Sequence, residues 1–234
     1  MAYKQNKKVL FENLGLLPYQ QAWDFQSQLF DQILSQKTAN RNLPELEIGL
    51  TDNYLLFLEH PPVITLGKNG KAENLLLSEV ELEERHIQYF PINRGGDITF
   101  HGPGQLVGYP VIDLENFFTD IHKYLRLLEE AIIMTCADYG VIAGRAEGFT
   151  GVWIGNRKIC AIGVRASRWV CMHGFAFNIS TDLNYFNYIV PCNITDKEVT
   201  SLEKETGRKL DFLEVSEKVK QNLATVFGME IVNK

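Results

Sequence analysis

No stretch of 18 apolar residues occurs in this chain, so it offers no candidate transmembrane helix. The opening residues, Met1-Ala2-Tyr3-Lys4-Gln5-Asn6-Lys7-Lys8-Val9-Leu10, lack an apolar h-region and a small-residue cleavage site, and a cytoplasmic location is expected. Cysteine is sparse. Cys136, Cys160, Cys171 and Cys192 in 234 residues are too few for a disulfide scaffold, and in a reducing compartment they are free thiols open to chemistry. Metal-ligand spacing is missing too: there is no C-x-x-C or H-x-x-x-H, and Cys171-Met172-His173 offers only two ligand types, so no metal is expected. Neither G-x-x-x-x-G-K-[ST] nor G-x-G-x-x-G is present, which removes sequence support for a nucleotide cofactor. Nor is there an excess of positive charge. A net charge of −6 argues against non-specific nucleic-acid binding, which needs a basic surface.

What the chain does contain is enough apolar residue for a full core, at a length one α/β or α+β domain commonly fills, so 1–234 is read as a single domain. Trp23, Phe30, Ile33 and Leu34 recur at helical spacing within Tyr19 to Gln36 and predict an amphipathic helix. A second helix is expected from about Asp120 to Asp138, with Tyr124, Leu128, Ala131 and Ile132 on one face and Gly140 closing it. A third runs from Asp211 to Gly228. Short β-branched and aromatic runs at Asn53–Glu59, Val63–Leu66 and Gln88–Asn93 predict strands. Asp97–His101 and Gln105–Leu114 read as two strands joined by the Gly102-Pro103-Gly104 turn. Val152 to Ile179 reads as a meander with a two-residue turn at Gly155-Asn156. This order suggests a mixed, mainly antiparallel sheet with helices packed on it.

Three features carry chemistry. The run from Arg94 through Gly95, Gly96, Asp97, Ile98, Thr99, Phe100 and His101 to Gly104 concentrates glycines among polar groups. Glycine lets a ligand approach the backbone closely, so N–H groups there can hold a carbonyl or carboxylate; two plain turns between strands account for it equally well. Lys158 opens a strand in which alternation puts it on one face with Cys160, away from Ile159 and Ala161. An ammonium there favours a neighbouring thiolate, while a lone strand lysine is otherwise a solvated surface group. Cys192, after Pro191, is either a nucleophile or a small buried hydrophobe. His101, beside the glycine-rich turn, is the histidine best placed for acid–base or positioning work. Charge is also uneven: from Arg145 to Arg168 five basic residues face only Glu147, a local +4 where an acidic partner is expected to dock.

Arg94 to Gln105, Gly151-Val152-Trp153, Lys158 to Arg165, His173 to Asn178 and Pro191-Cys192 closely resemble, in order and spacing, the lipoyl(octanoyl) transferase family, over about residues 50 to 205. The resemblance implies the biotin/lipoate protein ligase fold, an acyl chain held in a tunnel, and no nucleotide or other cofactor. By motif match it places the catalytic pair on Cys192 and Lys158. Its substrate-binding segments fall on Arg94 to His101, on Ala161, Ile162 and Gly163, and on Gly174, Phe175 and Ala176. The chain departs from the family at Asn193, where glycine is frequent, and at Cys160, where small inert residues are usual. Asparagine enters positive φ at modest cost, which preserves the turn.

The implied reaction moves octanoyl from acyl carrier protein to a lysine of a lipoyl domain through a cysteine thioester. The acceptors are the lipoyl domains of 2-oxoacid dehydrogenase complexes and the glycine cleavage H protein; no nucleic acid and no membrane take part. Two rivals stand beside it. An ATP-dependent lipoate or biotin ligase of the same fold would not need Cys192 as nucleophile, and a non-catalytic module that docks a carrier or lipoyl domain would form no acyl adduct.

Overall fold

The computed structural model describes residues 5–41, 43–44, 47–190 and 198–234. Strands β1 (Lys8–Leu16), β2 (Tyr54–Glu59), β3 (Val63–Leu66), β4 (Gln88–Pro91), β5 (Ile98–His101), β6 (Gln105–Asp113), β7 (Val152–Ile154), β8 (Arg157–Ser167), β9 (Val170–Asn178), β10 (Glu198–Val199) and β11 (Glu230–Asn233) alternate with five helices. These are α1 (Tyr19–Asn40), α2 (Glu79–Glu84), α3 (Ile121–Asp138), α4 (Leu202–Thr206) and α5 (Phe212–Phe227). The large sheet runs β10-β8-β9-β6-β2-β1-β11, with β7 also paired to β8; a small sheet runs β4-β3-β5. Long antiparallel ladders form the centre of the large sheet, and parallel pairs of β1 with β2 and β11 and of β10 with β8 form its margins. This is the mixed sheet with packed helices that the sequence implied.

The helices follow from capping and spacing. Asp120 accepts the Lys123 N–H at 2.9 Å and starts α3; Asp211 accepts two N–H groups and starts α5, which Gly228 ends at φ +64°. Their apolar stripes cover one face of the large sheet, where Tyr124, Leu128, Ile132, Val215, Val219 and Leu223 meet Leu55, Phe57, Phe175 and Phe177. Each such buried side chain contributes about 2 kcal/mol. On the other face α1 lays Ala22, Leu29, Phe30 and Ile33 over Leu56, Leu58, Val107 and Ala176. It runs four residues beyond the expected end at Gln36.

Two features differ from expectation. β5 and β6 are not hairpin partners: β5 pairs β3 in the small sheet, and β6 pairs β2 and β9 in the large one. The Gly102–Gly104 turn is thus a crossing between sheets. Gly104, at φ +79°, fits there because a Cβ would sit 2.7 Å from Ser180, and its N–H donates to Glu59 at 2.6 Å. Strands β1, β10 and β11 and helices α2 and α4 were not anticipated. Polar Asn13 and Gly15 break the alternation of β1, and its register shifts at that point.

Candidate active site

A cavity of about 260 Å³ opens where the small sheet leans on the β8–β9 face of the large one. Ala161 and Ala176 are cross-strand partners in its wall, and so are Gly163 and Gly174. The short alanine side chains leave space, and the glycines let neighbouring backbone pack close: a Cβ on Gly163 would meet the Gly95 carbonyl at 2.7 Å, and one on Gly174 would collide with the Gly108 carbonyl. The 94–96 loop docks on the outer edge of β8, with Gly95 N–H donating to the Val164 carbonyl at 2.9 Å. Between that contact and the pairing of β7, no strand among the described residues covers β8 over Ala161–Gly163 on that side, and these three residues line the cavity.

Lys158 lines the cavity at one end, its Nζ 4.7 Å from the centroid of the Trp153 ring. It does not share a face with Cys160. On β7, adjacent Val152 and Trp153 pair with Cys160 and Lys158, so Ile159 is an extra residue on β8. A bulge of this kind resets the alternation. It sends Lys158 to the cavity face with Ala161 and leaves Ile159 and Cys160 together in the core. Cys160 is fully buried, and its thiol is pushed well up, first by burial. Cys136 and Cys171 are likewise buried, each pushed up to about 12 by burial.

The other end of the cavity is polar. Arg94 is buried and donates to the Thr65 carbonyl at 3.0 Å, to Thr65 Oγ1 at 2.9 Å and to the Gly95 carbonyl at 3.0 Å. His101 Nδ1–H donates to Gln105 Oε1 at 2.8 Å, because Gln105 Nε2 is already donating to Phe100 O and Asn178 Oδ1. Tyr109 O–H donates to His60 Nε2 at 2.8 Å, with His60 Nδ1–H held by the Leu17 carbonyl at 2.7 Å. Burial, ahead of the charge of Arg94, pushes His173 down to about 3, and burial pushes His60 down to about 4. His101 falls well below its ordinary range for the same first reason. These imidazoles are neutral, and His101 is fitted to positioning rather than to taking a proton.

Of the residues singled out from sequence, Arg94, Gly96, Asp97, Ile98, Thr99, His101, Lys158, Ala161, Ile162, Gly163, Gly174, Phe175 and Ala176 line this one cavity. Gly95 stands behind it. Phe100 turns away: alternation along β5 sends its ring to the opposite side from Thr99 and His101, where it stacks on Tyr185 at 4.6 Å. Cys192 lies outside the described residues, as do Pro191 and Asn193. Of the described residues on either side of that segment, Val199 lines the cavity and Val190 does not. Val190 N–H donates to the Asn74 carbonyl at 2.8 Å, and Val199, on β10, pairs with Lys158. Tyr19, Tyr109, Trp153 and His173 also line the wall and had been given no role there. Tyr109 shares a β6 face with Gln105 and was open to inference by alternation; His173 was not, since it leaves the alternation through φ +60°.

The local +4 does not form one patch. Arg145 pairs with Glu129 and Glu130, and Arg157 pairs with Glu205. Arg165 lies over the Phe30 ring, and Arg168 bonds Thr38. These last two stand at the far end of β8 from Lys158. Counting along the chain missed acidic partners that come from α3 and α4.

Among the described residues no helix is long and apolar enough to cross a membrane, and no group of three His, Cys, Asp or Glu residues could hold a metal ion. The lipoyl protein ligase A/B catalytic domain model matches residues 18–224. An octanoyltransferase of Flavobacterium johnsoniae is 57% identical over 233 residues, spanning 97% of this chain and 100% of that protein. One from Cytophaga hutchinsonii is 56% identical, spanning 97% of this chain and 96% of that protein. Among solved structures, a bipartite lipoate protein ligase from Thermoplasma acidophilum superposes with a TM-score of 0.69 at 16% identity, over 99% of this chain and 87% of that one. A lipoate-protein ligase A bound with ATP gives 0.70 at 15% identity, over 97% and 87%. At such identities the likeness is one of fold.

Proposed function

The chain belongs to the lipoyl protein ligase A/B catalytic-domain family, among its octanoyltransferases, and from that premise we propose that it carries octanoyl from acyl carrier protein to a lipoyl-domain lysine through a thioester on Cys192. It is an acyltransferase. The supporting observation is the seat of Lys158, which lines a cavity walled in part by alanine and glycine and pairs with Val199, on the strand that follows Cys192 in the chain.

The chemistry runs in two balanced steps. Cys192 thiolate attacks the thioester carbonyl; the carrier's sulfur leaves and takes a proton from the Lys158 ammonium. The acceptor amine then attacks the acyl-cysteine, neutral Lys158 accepts the amine's proton, and Cys192 thiolate departs. The open β8 edge over Ala161–Gly163 supplies N–H groups to the oxyanion of both tetrahedral intermediates. The aromatic face of Trp153 holds the ammonium with about 1 kcal/mol. The acceptors would be lipoyl domains of 2-oxoacid dehydrogenase complexes and the glycine cleavage H protein, with the reaction in the cytoplasm.

Single-turnover measurement of the two half-reactions tests this reading, run without ATP so that a ligase would be silent. Lys158→Ala is expected to slow both self-acylation and transfer. Lys158→Arg keeps the charge but releases no proton near neutral pH, so it retains part of self-acylation and fails in transfer. Transfer at the parent rate by a folded, octanoate-binding Lys158→Arg protein would end the proton-shuttle role.

A further inference from the structure

Glu129 lies on α3, outside the cavity, with its side chain wholly buried. Its Oε1 accepts the Gly151 N–H at 3.0 Å. Its Oε2 accepts the Arg145 Nε–H and is ion-paired with the Arg126 guanidinium, each at 2.9 Å. Arg145 is further fixed by the Arg126 carbonyl at 2.9 Å and by Glu130 at 2.6 Å. One carboxylate therefore ties both ends of the 145–151 loop, which gives Gly148, Phe149 and Thr150 to the cavity wall.

The same loop ends form the seat of Lys158. Gly144, just before the loop, bridges Trp153 with a hydrogen bond in each direction, both 2.8 Å, and Trp153 is the ring beneath the ammonium. At the other end Gly151 stands at φ +116°, where a Cβ would come within 2.5 Å of the Cys160 carbonyl and 3.7 Å of Lys158 Cε. Its bare backbone is what lets this end of the loop pack against the Cys160 carbonyl, beside the lysine stem. A buried ion pair is a poor source of stability, since apolar residues in its place often hold a fold as well or better. What this one fixes is a position.

We infer that Glu129 is a positioning residue for acyl transfer: by closing the 145–151 loop it holds the Trp153–Gly151 seat that aims Lys158, an inference that rests on the role proposed above for that lysine. Two readouts test it, the pH dependence of Cys192 alkylation by iodoacetamide, followed by peptide mass spectrometry, and single-turnover octanoyl transfer. Each is measured for Glu129→Gln in the parent and in a Lys158→Ala background. A Glu129→Gln protein with parental near-ultraviolet circular dichroism is expected to alkylate with a midpoint about one pH unit higher. Its transfer should fall about 10- to 100-fold, the cost of misplacing a reacting group by about 1 Å. In the Lys158→Ala background the same change should alter alkylation by less than about twofold, as expected when two residues act through one interaction.

Equal losses in both backgrounds would mean a merely structural role and overturn the inference, as would parental behaviour in folded Glu129→Gln. If that protein does not fold, Arg145→Gln frees the start of the loop while Glu129 keeps Arg126, and parental behaviour there overturns the inference equally. Lys158→Ala alone behaving as the parent is a different failure, which removes the lysine's role itself.

Discussion

Replacing Ala161 by leucine should shorten the acyl chain the protein accepts. Its Cβ faces the cavity across from Ala176, so three added carbons project into a space of about 260 Å³. Interiors are close-packed, so added side-chain carbons displace carbons of a bound chain about one for one, and octanoyl loses room for about two to three of its methylenes. At ~0.8 kcal/mol for each buried methylene, two lost carbons amount to about 1.6 kcal/mol, or roughly 15-fold in favour of hexanoyl over octanoyl relative to the parent. The assay is single-turnover acylation with hexanoyl and octanoyl small-molecule thioesters, which need no docking surface, after thermal melting shows the variant folded. An equal loss for both chain lengths would place the acyl chain elsewhere and refute the reasoning.

Peptide mapping after incubation with octanoyl carrier protein should find the acyl group on Cys192 and none on Cys160, whose thiol is buried and pushed well up. Acylation of Cys160 in a Cys192→Ser protein would undo the assignment. Acid should destabilise the fold through its buried imidazoles. His60, His101 and His173 are held below the ordinary 6.5 by burial, so between about pH 6.5 and 4 the unfolded chain binds protons the folded one refuses. Stability then falls with pH by about 1.4 kcal/mol per unit for each histidine. Urea titrations between pH 6 and 5 should report uptake of at least about two protons on unfolding; fewer than about one would show that the imidazoles are charged in the fold.

Much of this was legible in the sequence because it depended on local signals. Asp120, Asp211 and Gly228 mark helix ends that the structure repeats, and the β-branched run Val63–Leu66 forms a strand with those same bounds. The segments that line the cavity could be named because they form a recurring motif. What stayed hidden depends on long-range pairing. The side taken by Lys158 turns on a bulge set by its partner strand β7, and single-strand alternation gave the opposite answer for Cys160. His173 is swung into the wall by a left-handed backbone, with its N–H accepted by Gln26 of α1 at 3.0 Å. No residue type announces that. Nothing in the sequence marks Glu129, since the loop it closes folds back only in three dimensions.

The pairing of β1 with β11 joins Lys8 to Glu230 and Phe11 to Asn233. During synthesis, therefore, the outer edge of β1 must wait for β11, which is made long after it. Until then β1 presents a row of unmatched amides and carbonyls, which is a template for pairing with another chain. A contact of such sequence separation also slows the search for the native topology. The vulnerable interval in this protein's life thus lies before the cavity is ever used, and changes in β11 should show first as lost yield of folded enzyme rather than as altered chemistry.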